Sequence, residues 1–360
     1  MTNPYIKSNI SVRGIMVDVM ISLFPLIVVA YLAYGWTALA VISTSITFAL
    51  LAELLSSWLF LGRKNTLFDG SGIITGLLLA FILSPNTPLH VVAFGAVSAV
   101  IFGKVLWGGI GKNRFNPALI GRELMAVFFP LIMNGAALWA KKASVNIPGL
   151  HGFSFFASDV MNAFSDSLVY KTSGALGEYS ILGIALGGFY LLMRNRISWH
   201  IPFSLLASFA LGAWLLQGEV PMKYSVAGIL FAAIFMATDM PTSPVTSKGK
   251  LFYGAMIGVV SLILIKTGVR YEYMSYSILI LNGFAGYVNK IFRPKVWGGQ
   301  MDWMIRAEDM FLLALSILMV AFAVSALYNY HFIPYLIYIF IVYLVLKFIF
   351  VYHKQLSKYI

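Results

Sequence analysis

The hydrophobic positions of this chain form long blocks that are separated by short polar or glycine- and proline-rich segments. One example runs from Ile15 to Tyr34 and contains a single charged residue, Asp18. A helix rises about 1.5 Å per residue and about 20 apolar residues cross a bilayer core, so the pattern predicts membrane-spanning helices. The predicted spans are 14–35, 37–61, 71–84, 88–108, 118–138, 178–193, 199–217, 224–238, 250–268, 273–292, 309–329 and 332–352.

Two of these blocks are too short to cross a membrane. Ser71–Ser84 and Ser225–Thr238 have 14 residues each. As helices they would extend about 21 Å, against a hydrocarbon core of about 30 Å. Each runs into a turn with two prolines, at 84–88 and at 239–244. Because proline donates no backbone hydrogen bond, both helices are predicted to end within the membrane or at its edge.

The two short helices occupy corresponding places in two blocks of five predicted spans, at 1–139 and 178–297. An odd number of spans reverses the second block, so the pattern predicts an all-α membrane protein with an inverted repeat of five plus five helices. An outer-face loop at 140–177 joins the halves, and a linker with two extra spans follows at 298–360. Paired broken helices in such a repeat indicate a midplane binding site. The alternative is that the correspondence arises by chance, because glycine and proline are common in membrane helices.

Composition and charge agree with the membrane class. The chain is 60% hydrophobic and 11% charged, whereas soluble domains are about a quarter charged. If the N-terminus is cytoplasmic, most lysines and arginines fall in cytoplasmic loops, as the positive-inside rule requires. Both termini are therefore predicted on the cytoplasmic side of the membrane. The net charge of +12 is assigned to loops that face anionic lipid, and no nucleic-acid partner is expected.

The absence of cysteine narrows the chemistry. A chain without cysteine has no disulfide, no thiolate metal site and no cysteine-ligated iron–sulfur cluster. It also shows no nucleotide-binding loop and no acid/base pair. Any redox cofactor must therefore be organic or held by other ligands, and the chain is not expected to be catalytic alone.

Short motifs interrupt the apolar blocks in a fixed order. They are Ser71-Gly72-Ile73-Ile74-Thr75-Gly76, Ser84-Pro85, Gly103-Lys104, Gly109-Ile110-Gly111-Lys112-Asn113-Arg114-Phe115-Asn116-Pro117-Ala118, Gly121-Arg122, Gly177-Glu178, Trp199-His200-Ile201-Pro202, Met236-Ala237-Thr238-Asp239, Thr242-Ser243-Pro244 and Lys248-Gly249. In this order they resemble the NqrB/RnfD family, which includes the RnfD component of the Rnf ferredoxin:NAD oxidoreductase and the NqrB component of the sodium-translocating NADH:quinone reductase. The resemblance covers roughly residues 10–297, and the short N-terminus favours the Rnf branch.

The resemblance implies a ten-helix subunit of a redox-driven pump for Na⁺ or H⁺. It also implies FMN or riboflavin as cofactors, and other membrane and peripheral subunits as partners beside the surrounding lipid. Two alternatives stay open. Inverted repeats with half-helices also build channels and secondary transporters without redox chemistry, and a chain that has lost its flavin would serve as a scaffold subunit.

The outer-face loop departs from the family's pattern for flavin attachment. Relatives carry FMN on a threonine in the segment Asp-x-x-(Ser/Thr)-(Gly/Ser)-Ala-Thr, whereas this chain has Lys171-Thr172-Ser173-Gly174-Ala175-Leu176. In a second alignment, Ser173 to Ser180 match the family's later stretch Gly-Ser-Ile-Gly-Glu-Thr-Ser, and the attachment segment is missing. A phosphoester requires a hydroxyl, and Leu176 has none, so under either alignment any flavin is predicted to bind non-covalently, and no flavin at all is the alternative. The candidate flavin contacts are Asn113, Asn116, Arg122, Thr172 and Ser173.

Asp239 is the main candidate for an ion path. An ionisable residue in the membrane is costly and marks a functional candidate, and hard cations prefer carboxylate and carbonyl oxygens. Its structural role would be to cap the following turn by accepting from the backbone amide of Thr242 or Ser243. The candidate ion path consists of Ser84, Thr87, Thr238 and Asp239.

Two other groups have structural explanations. Asn113 and Asn116 with Pro117 are typical of a helix start, with an asparagine cap and proline as the first helical residue. Arg122 and Glu123 are expected to pair with each other or to reach the interface.

Overall fold

The computed structural model describes residues 11–62, 69–135, 174–216, 224–293 and 303–356. Within these ranges every long element is a helix and there is no strand. The helices are α1 (Val12–Tyr34), α2 (Trp36–Leu61), α3 (Ser71–Phe81), α4 (Leu89–Gly103), α5 (Pro117–Phe128), α6 (Ile181–Met193), α7 (His200–Leu215), α8 (Val226–Met236), α9 (Ser247–Lys266), α10 (Tyr273–Phe292), α11 (Trp303–Asn329) and α12 (Ile333–Leu356). Short helical turns lie at Val105–Trp107, Pro130–Met133 and Leu176–Glu178.

Six spans in the described part of the chain are long and apolar enough to cross a membrane, namely α1, α2, α9, α11, α12, and α4 taken together with the turn that follows it, Leu89–Trp107. Four others, α3, α6, α7 and α8, are apolar but have only 10–17 residues. The prediction of an all-helical, multi-pass membrane protein is confirmed. The two helices predicted to be short are short, and every predicted span has a helix.

The fifth predicted span, 118–138, extends too far. Helix α5 has 12 residues and ends at Phe128, and a separate turn follows at Pro130–Met133. The ring of a proline disfavours helical backbone in the preceding residue, and Phe129 adopts φ −128° and ψ 53°. The proline therefore ends α5 early. Residues 136–138 lie outside the described part of the chain.

Helices α3 and α8 end in different ways. After α3 the backbone tightens, with Ile82 N–H donating to the Leu79 carbonyl and Leu83 N–H to the Ala80 carbonyl, each at 3.1 Å. In α8 the last turn, Ala232–Met236, is a π-helix. π-turns within α-helices occur frequently at functional sites because they redirect the following backbone. The end of α8 is therefore the less regular of the two.

Glycines allow several helix pairs to approach backbone to backbone. A Cβ atom at Gly76, Gly121, Gly187, Gly254 or Gly258 would lie 2.3–2.8 Å from a backbone atom of the neighbouring helix. These contacts join α3 to α2, α5 to α4, α6 to α1, and α9 to α7. Small residues at helix crossings are how membrane helices associate without a hydrophobic driving force. The short helices are thus held by long ones.

The C-terminal helices pack against both halves of the chain. Helix α11 contacts α9 and α10, while α12 contacts α5 and the turn at Val105–Trp107. Leu344 and Phe348 pack on Trp107, and Lys347 Nζ lies 3.9 Å from the centre of its indole ring. A cation above an aromatic face is stabilised by the ring's quadrupole. Helix α12 is therefore in contact with the loop that precedes α5.

Candidate functional site

Asn116 connects the start of α5 to the end of α8. Its Oδ1 accepts a hydrogen bond from Ala118 N–H at 3.0 Å, and Pro117 is the first helical residue. The predicted asparagine cap is therefore confirmed. The other polar groups of Asn116 bind to other helices. Its Nδ2 donates to the Met236 carbonyl at 3.4 Å, and its backbone N–H donates to Asn282 Oδ1 at 3.0 Å.

Asp239 lies in the turn between α8 and α9, with its carboxylate among polar side chains. Thr242 Oγ1 donates to Asp239 Oδ2 at 3.0 Å, and Asn113 supplies a second hydrogen bond. The backbone amides of Thr242 and Ser243 donate instead to the Asp239 main-chain carbonyl, at 3.3 and 3.0 Å. The predicted cap by the carboxylate is therefore wrong: the carbonyl closes the turn and the carboxylate is left for side chains.

The electrostatics of Asp239 follow from these neighbours. Removal of water raises the pKa of Asp239 to about 6, while the hydrogen bonds from Thr242 and Asn113 oppose that rise. Its carboxylate is therefore ionised at pH 7 and above. Thr238, beside it, donates its hydroxyl to the Ile234 carbonyl at 2.5 Å.

Asn282 and Tyr253 complete this cluster, and the sequence analysis missed both. Asn282 Nδ2 donates to the Thr242 carbonyl at 3.3 Å and lies 2.6 Å from Tyr253 Oη. Both side chains are buried. An asparagine in the middle of an apolar span is a signal that would have indicated Asn282.

Residues from the predicted flavin site and from the predicted ion path lie together in this cluster. Asn113 and Asn116, predicted as flavin contacts, lie beside Thr238 and Asp239, predicted for the ion path. The cluster offers one carboxylate together with hydroxyl, amide and carbonyl oxygens, which are the donors that hard cations prefer. In the part of the chain that the structure describes, no three His, Cys, Asp or Glu side chains converge on a metal site.

Ser84 and Thr87 are at the other broken helix. They lie in the turn that follows α3, where Thr87 Oγ1 donates to the Ser84 carbonyl at 2.8 Å. Both residues are buried. The four predicted ion-path residues are thus distributed over the ends of α3 and α8.

Arg122 forms a buried ion pair with Glu272 across the protein. Its Nε lies 2.8 Å from Glu272 Oε2 and its Nη2 3.1 Å from Oε1. Its Nη1 donates to the Ile82 carbonyl at 2.8 Å. The expectation that Arg122 pairs with Glu123 or reaches the interface is wrong, because Arg122 is buried and binds an acid 150 positions away. The guanidinium therefore ties the end of α3 to the start of α10.

A cavity of about 740 Å³ lies beside this ion pair. Its lining combines aromatic, basic and polar side chains, among them Phe81, Phe231, Tyr224, Tyr273, Arg122, Lys266, Arg270, Glu178 and Ser225. Cavities of about 300–1,000 Å³ are the usual size of cofactor sites. At its rim Ser225 Oγ donates to Glu178 Oε2 at 2.7 Å and caps α8. Gly174 and Ala175 also line it, whereas Thr172 and Ser173 lie outside the described residues.

This lining fits a flavin. An isoalloxazine ring is stabilised by aromatic surface, which the exposed lining residues Tyr224 and Tyr271 offer. A flavin phosphate pairs with arginine or lysine, which Lys266 and Arg270 supply at the same cavity.

Comparisons with known proteins agree on one family. The sequence model of the NQR2, RnfD, RnfE family matches residues 1–298, so the match ends before α11 begins. The chain is 32% identical over 306 residues to the D component of the Na(+)-translocating ferredoxin:NAD(+) oxidoreductase complex of Acetobacterium woodii, covering 82% of this chain and 94% of that protein. It is 31% identical over 319 residues to the D component of the proton-translocating ferredoxin:NAD(+) oxidoreductase complex of Clostridium ljungdahlii, covering 82% and 95%. It is 30% identical over 346 residues to the D component of the ion-translocating oxidoreductase complex of Escherichia coli, covering 82% and 97%.

Proposed function

Because this chain belongs to the NQR2, RnfD, RnfE family, we propose that it is the RnfD-type membrane component of an Rnf-type complex that couples electron transport to ion translocation. The proposal is supported by the family match over residues 1–298 and by the multi-pass helical fold. Electron transfer belongs to the complex, whose other membrane and peripheral subunits are the partners. The coupling ion is Na⁺ or H⁺.

We further propose an inverted topology in a bacterial inner membrane, with both termini cytoplasmic. Its support is the pair of eleven-residue helices α3 and α8, each third among five helices and each followed by a proline turn. In this arrangement α3 starts from the cytoplasmic side and α8 from the outer side. Their ends approach the midplane from opposite directions, as half-helices of inverted repeats do.

Cysteine labelling tests this topology. The chain has no cysteine, so single cysteines can be introduced without background. We expect an impermeant maleimide to react in intact cells with a cysteine at Ser154, which lies outside the described residues, and not at Asn195 or Ser247. Permeabilised cells serve as the control, because all three positions should then react. Labelling at Ser247 from outside would overturn the inverted topology.

The ion path is proposed to pass Asp239 at the end of α8. The carboxylate attracts a cation from the cytoplasmic side, and carbonyls at the broken helix end together with the Thr242 hydroxyl provide oxygen ligands. The observation that carries this step is the position of the Asp239 carboxylate, which is oriented by Thr242 and Asn113 and has no cationic side chain among its hydrogen-bond partners in the described part of the chain.

Asp239→Asn should slow ion-coupled electron transfer by at least about tenfold without loss of assembly. A tenfold slower rate corresponds to a barrier that is about 1.4 kcal/mol higher. Asparagine keeps the hydrogen bond from Thr242 and removes the charge. Because the pKa of Asp239 is about 6, the ion concentration for half-maximal rate in the wild type should rise as the pH falls below 6, and in the variant it should not respond. The measurement is turnover of the complex in membrane vesicles across ion concentrations and pH.

The matched control is Asp309→Asn, which makes the same change at an exposed acid on α11. It should behave as the wild type. If the Asp239→Asn complex assembles and has wild-type turnover at every pH and ion concentration, the carboxylate has only a structural role.

Flavin is proposed to bind non-covalently in the cavity beside Arg122. A bound flavin supplies electron transfer in one- or two-electron steps. The aromatic side chains Tyr224 and Tyr271 would cover its ring and exclude water, and Lys266 and Arg270 would hold its phosphate.

Flavin should therefore be visible in the native protein and absent after denaturation. We expect flavin absorbance in purified native protein and no fluorescent band at 39.8 kDa in a denaturing gel, because Leu176 offers no hydroxyl for a phosphoester. Free FMN run in the same gel controls for detection. A fluorescent band at the mass of the chain would contradict non-covalent binding, and native protein without flavin absorbance would favour a scaffold role.

A further inference from the structure

Glu123 is a second buried acid beside the Arg122–Glu272 ion pair. It is 4% exposed, and no hydrogen bond of normal geometry reaches either of its carboxyl oxygens from the described residues, although the hydroxyls of Ser275 and Tyr276 lie near it. The Arg122 guanidinium is directed elsewhere, at Glu272 and the Ile82 carbonyl. An ionised carboxylate is an acceptor only, so a buried one that has nearby hydroxyls but no cationic donor of its own is strongly disfavoured.

Counting charges around Glu123 gives the same answer. Its polar neighbours are Glu272, Ser275 and Tyr276 at the start of α10, and Arg122 from its own helix. Two ionised carboxylates beside one guanidinium would leave a net negative charge in a buried site. Two carboxyl groups that share such a site do not both ionise.

The position of Glu272 decides which acid is ionised. Glu272 is the residue that precedes the first turn of α10, where the helix dipole favours a negative charge. It also takes the bidentate hydrogen bonds of Arg122, which require a carboxylate as acceptor. Glu123 has neither of these contacts.

We propose that Glu123 and Glu272 together form a binding site for one proton, with Glu123 as the carboxylic acid and Glu272 as the carboxylate that accepts its hydrogen bond. Arg122 holds Glu272 in place. The site is separate from Asp239, and it does not depend on the proposed ion path or flavin. Because Arg122 and Ser275 also line the cavity, the proton sets the charge next to that cavity.

The titratable and charged groups around the site come from three helices and two turns. Arg122 lies on α5, Glu272 and Tyr276 lie at the start of α10, and Tyr328 faces them from α11. The Tyr276 and Tyr328 rings are 6.2 Å apart at their centres. Arg270, in the turn before α10, lies near Tyr328, and Glu178 lies near Arg122 on the cavity side. Arg122 and Arg270 are the cations in this set, and Arg122 is already paired with Glu272.

Infrared spectroscopy of the full purified chain tests the site directly. A carboxylic acid has a C=O stretch well separated from that of a carboxylate. The difference spectrum between the wild type and Glu123→Gln at pH 7 should show one carboxylic-acid band lost in the variant. Glu308→Gln, which changes an exposed acid on α11, should not remove it. The same band intensity in wild type and Glu123→Gln would overturn the proposal.

Thermal unfolding supplies a second readout that a merely structural role would not produce. The folded wild type keeps a proton that an unfolded glutamate releases above about pH 4.3. The equilibrium constant for folding of the wild type therefore falls by up to about tenfold for each unit that the pH rises, until the folded protein also loses the proton. Glutamine removes this dependence, so the Tm of Glu123→Gln should rise relative to the wild type between pH 5 and 8. A constant difference over that range would count against the proton.

A second variant, Glu123→Asp, provides the test if Glu123→Gln does not fold. Glu123→Asp keeps a carboxyl group at a slightly different position. Its carboxylic-acid band should remain and shift in frequency relative to the wild type. An Asp variant with a band identical to that of the wild type would show that the band belongs to another residue, and would overturn the assignment.

Discussion

Arg122→Met should lower the free energy of unfolding by about 3–5 kcal/mol, the usual effect of removing one partner of a buried ion pair. Methionine fills much of the volume of the side chain, so the loss reflects the unpaired Glu272 rather than a cavity. The Ile82 carbonyl at the end of α3 also loses its donor. Thermal or denaturant unfolding of the purified chain in detergent measures the effect.

The chain offers a matched control in a second contact between an arginine and an acid. Arg194 Nε lies 3.4 Å from Asp18 Oδ1, and the Arg194 side chain is 54% exposed. Asp18 is buried, but it keeps a second partner, Arg196, whose Nε lies 2.5 Å from Asp18 Oδ2. A long contact to an exposed arginine contributes about 0–1 kcal/mol because water screens it, so Arg194→Met should have little effect. Equal destabilisation by the two substitutions would show that burial of Arg122 does not determine its contribution.

Gly76→Ala should destabilise the protein by about 1–3 kcal/mol, as overpacking of a tight contact does. The new Cβ would lie 2.8 Å from Ile46 Cα and 2.9 Å from the Ser45 carbonyl oxygen, which belong to the backbone of α2. Backbone atoms do not move aside as a flexible side chain does. The Ser45 hydroxyl, which donates to the Gly76 carbonyl at 2.7 Å, would be displaced as well.

Gly286→Ala on α10 is the control for this substitution. No atom of the described residues lies within 4 Å of a Cβ built there, and alanine is better than glycine in a helix by about 1 kcal/mol. It should leave the protein unchanged or slightly more stable. If both alanines have the same effect, the close approach of α3 and α2 does not govern stability.

The order of helices and the two short ones were predictable because their signals are local. A block of apolar residues indicates a helix in a membrane, and the proline turns after α3 and α8 end those helices wherever they lie. The early end of α5 was also marked in the sequence, by Pro130. That signal was missed because the apolar block continues beyond it.

The partners of the polar residues were not predictable in the same way. Arg122 is next to Glu123 in the chain, but consecutive residues on a helix do not face each other. Its partner, Glu272, is brought to it by the packing of α5 against α10. The contact of Asn116 with Asn282 spans 166 positions and also depends on packing. No local pattern in one sequence reports such distances.

The helix pair α11–α12 bears on how an assembly would be arranged around this protein. The relatives align over 94–97% of their own length and the family match stops at residue 298, so those proteins have no counterpart of comparable length to this pair. In this protein, α12 lies against α5 and α11 against α9 and α10. Neighbouring helices pack about 8–10 Å apart. Any protein that approaches from this side therefore meets α11 or α12 first. Its own helices lie one helix layer farther from the Arg122–Glu272 ion pair than they would in a relative without α11 and α12.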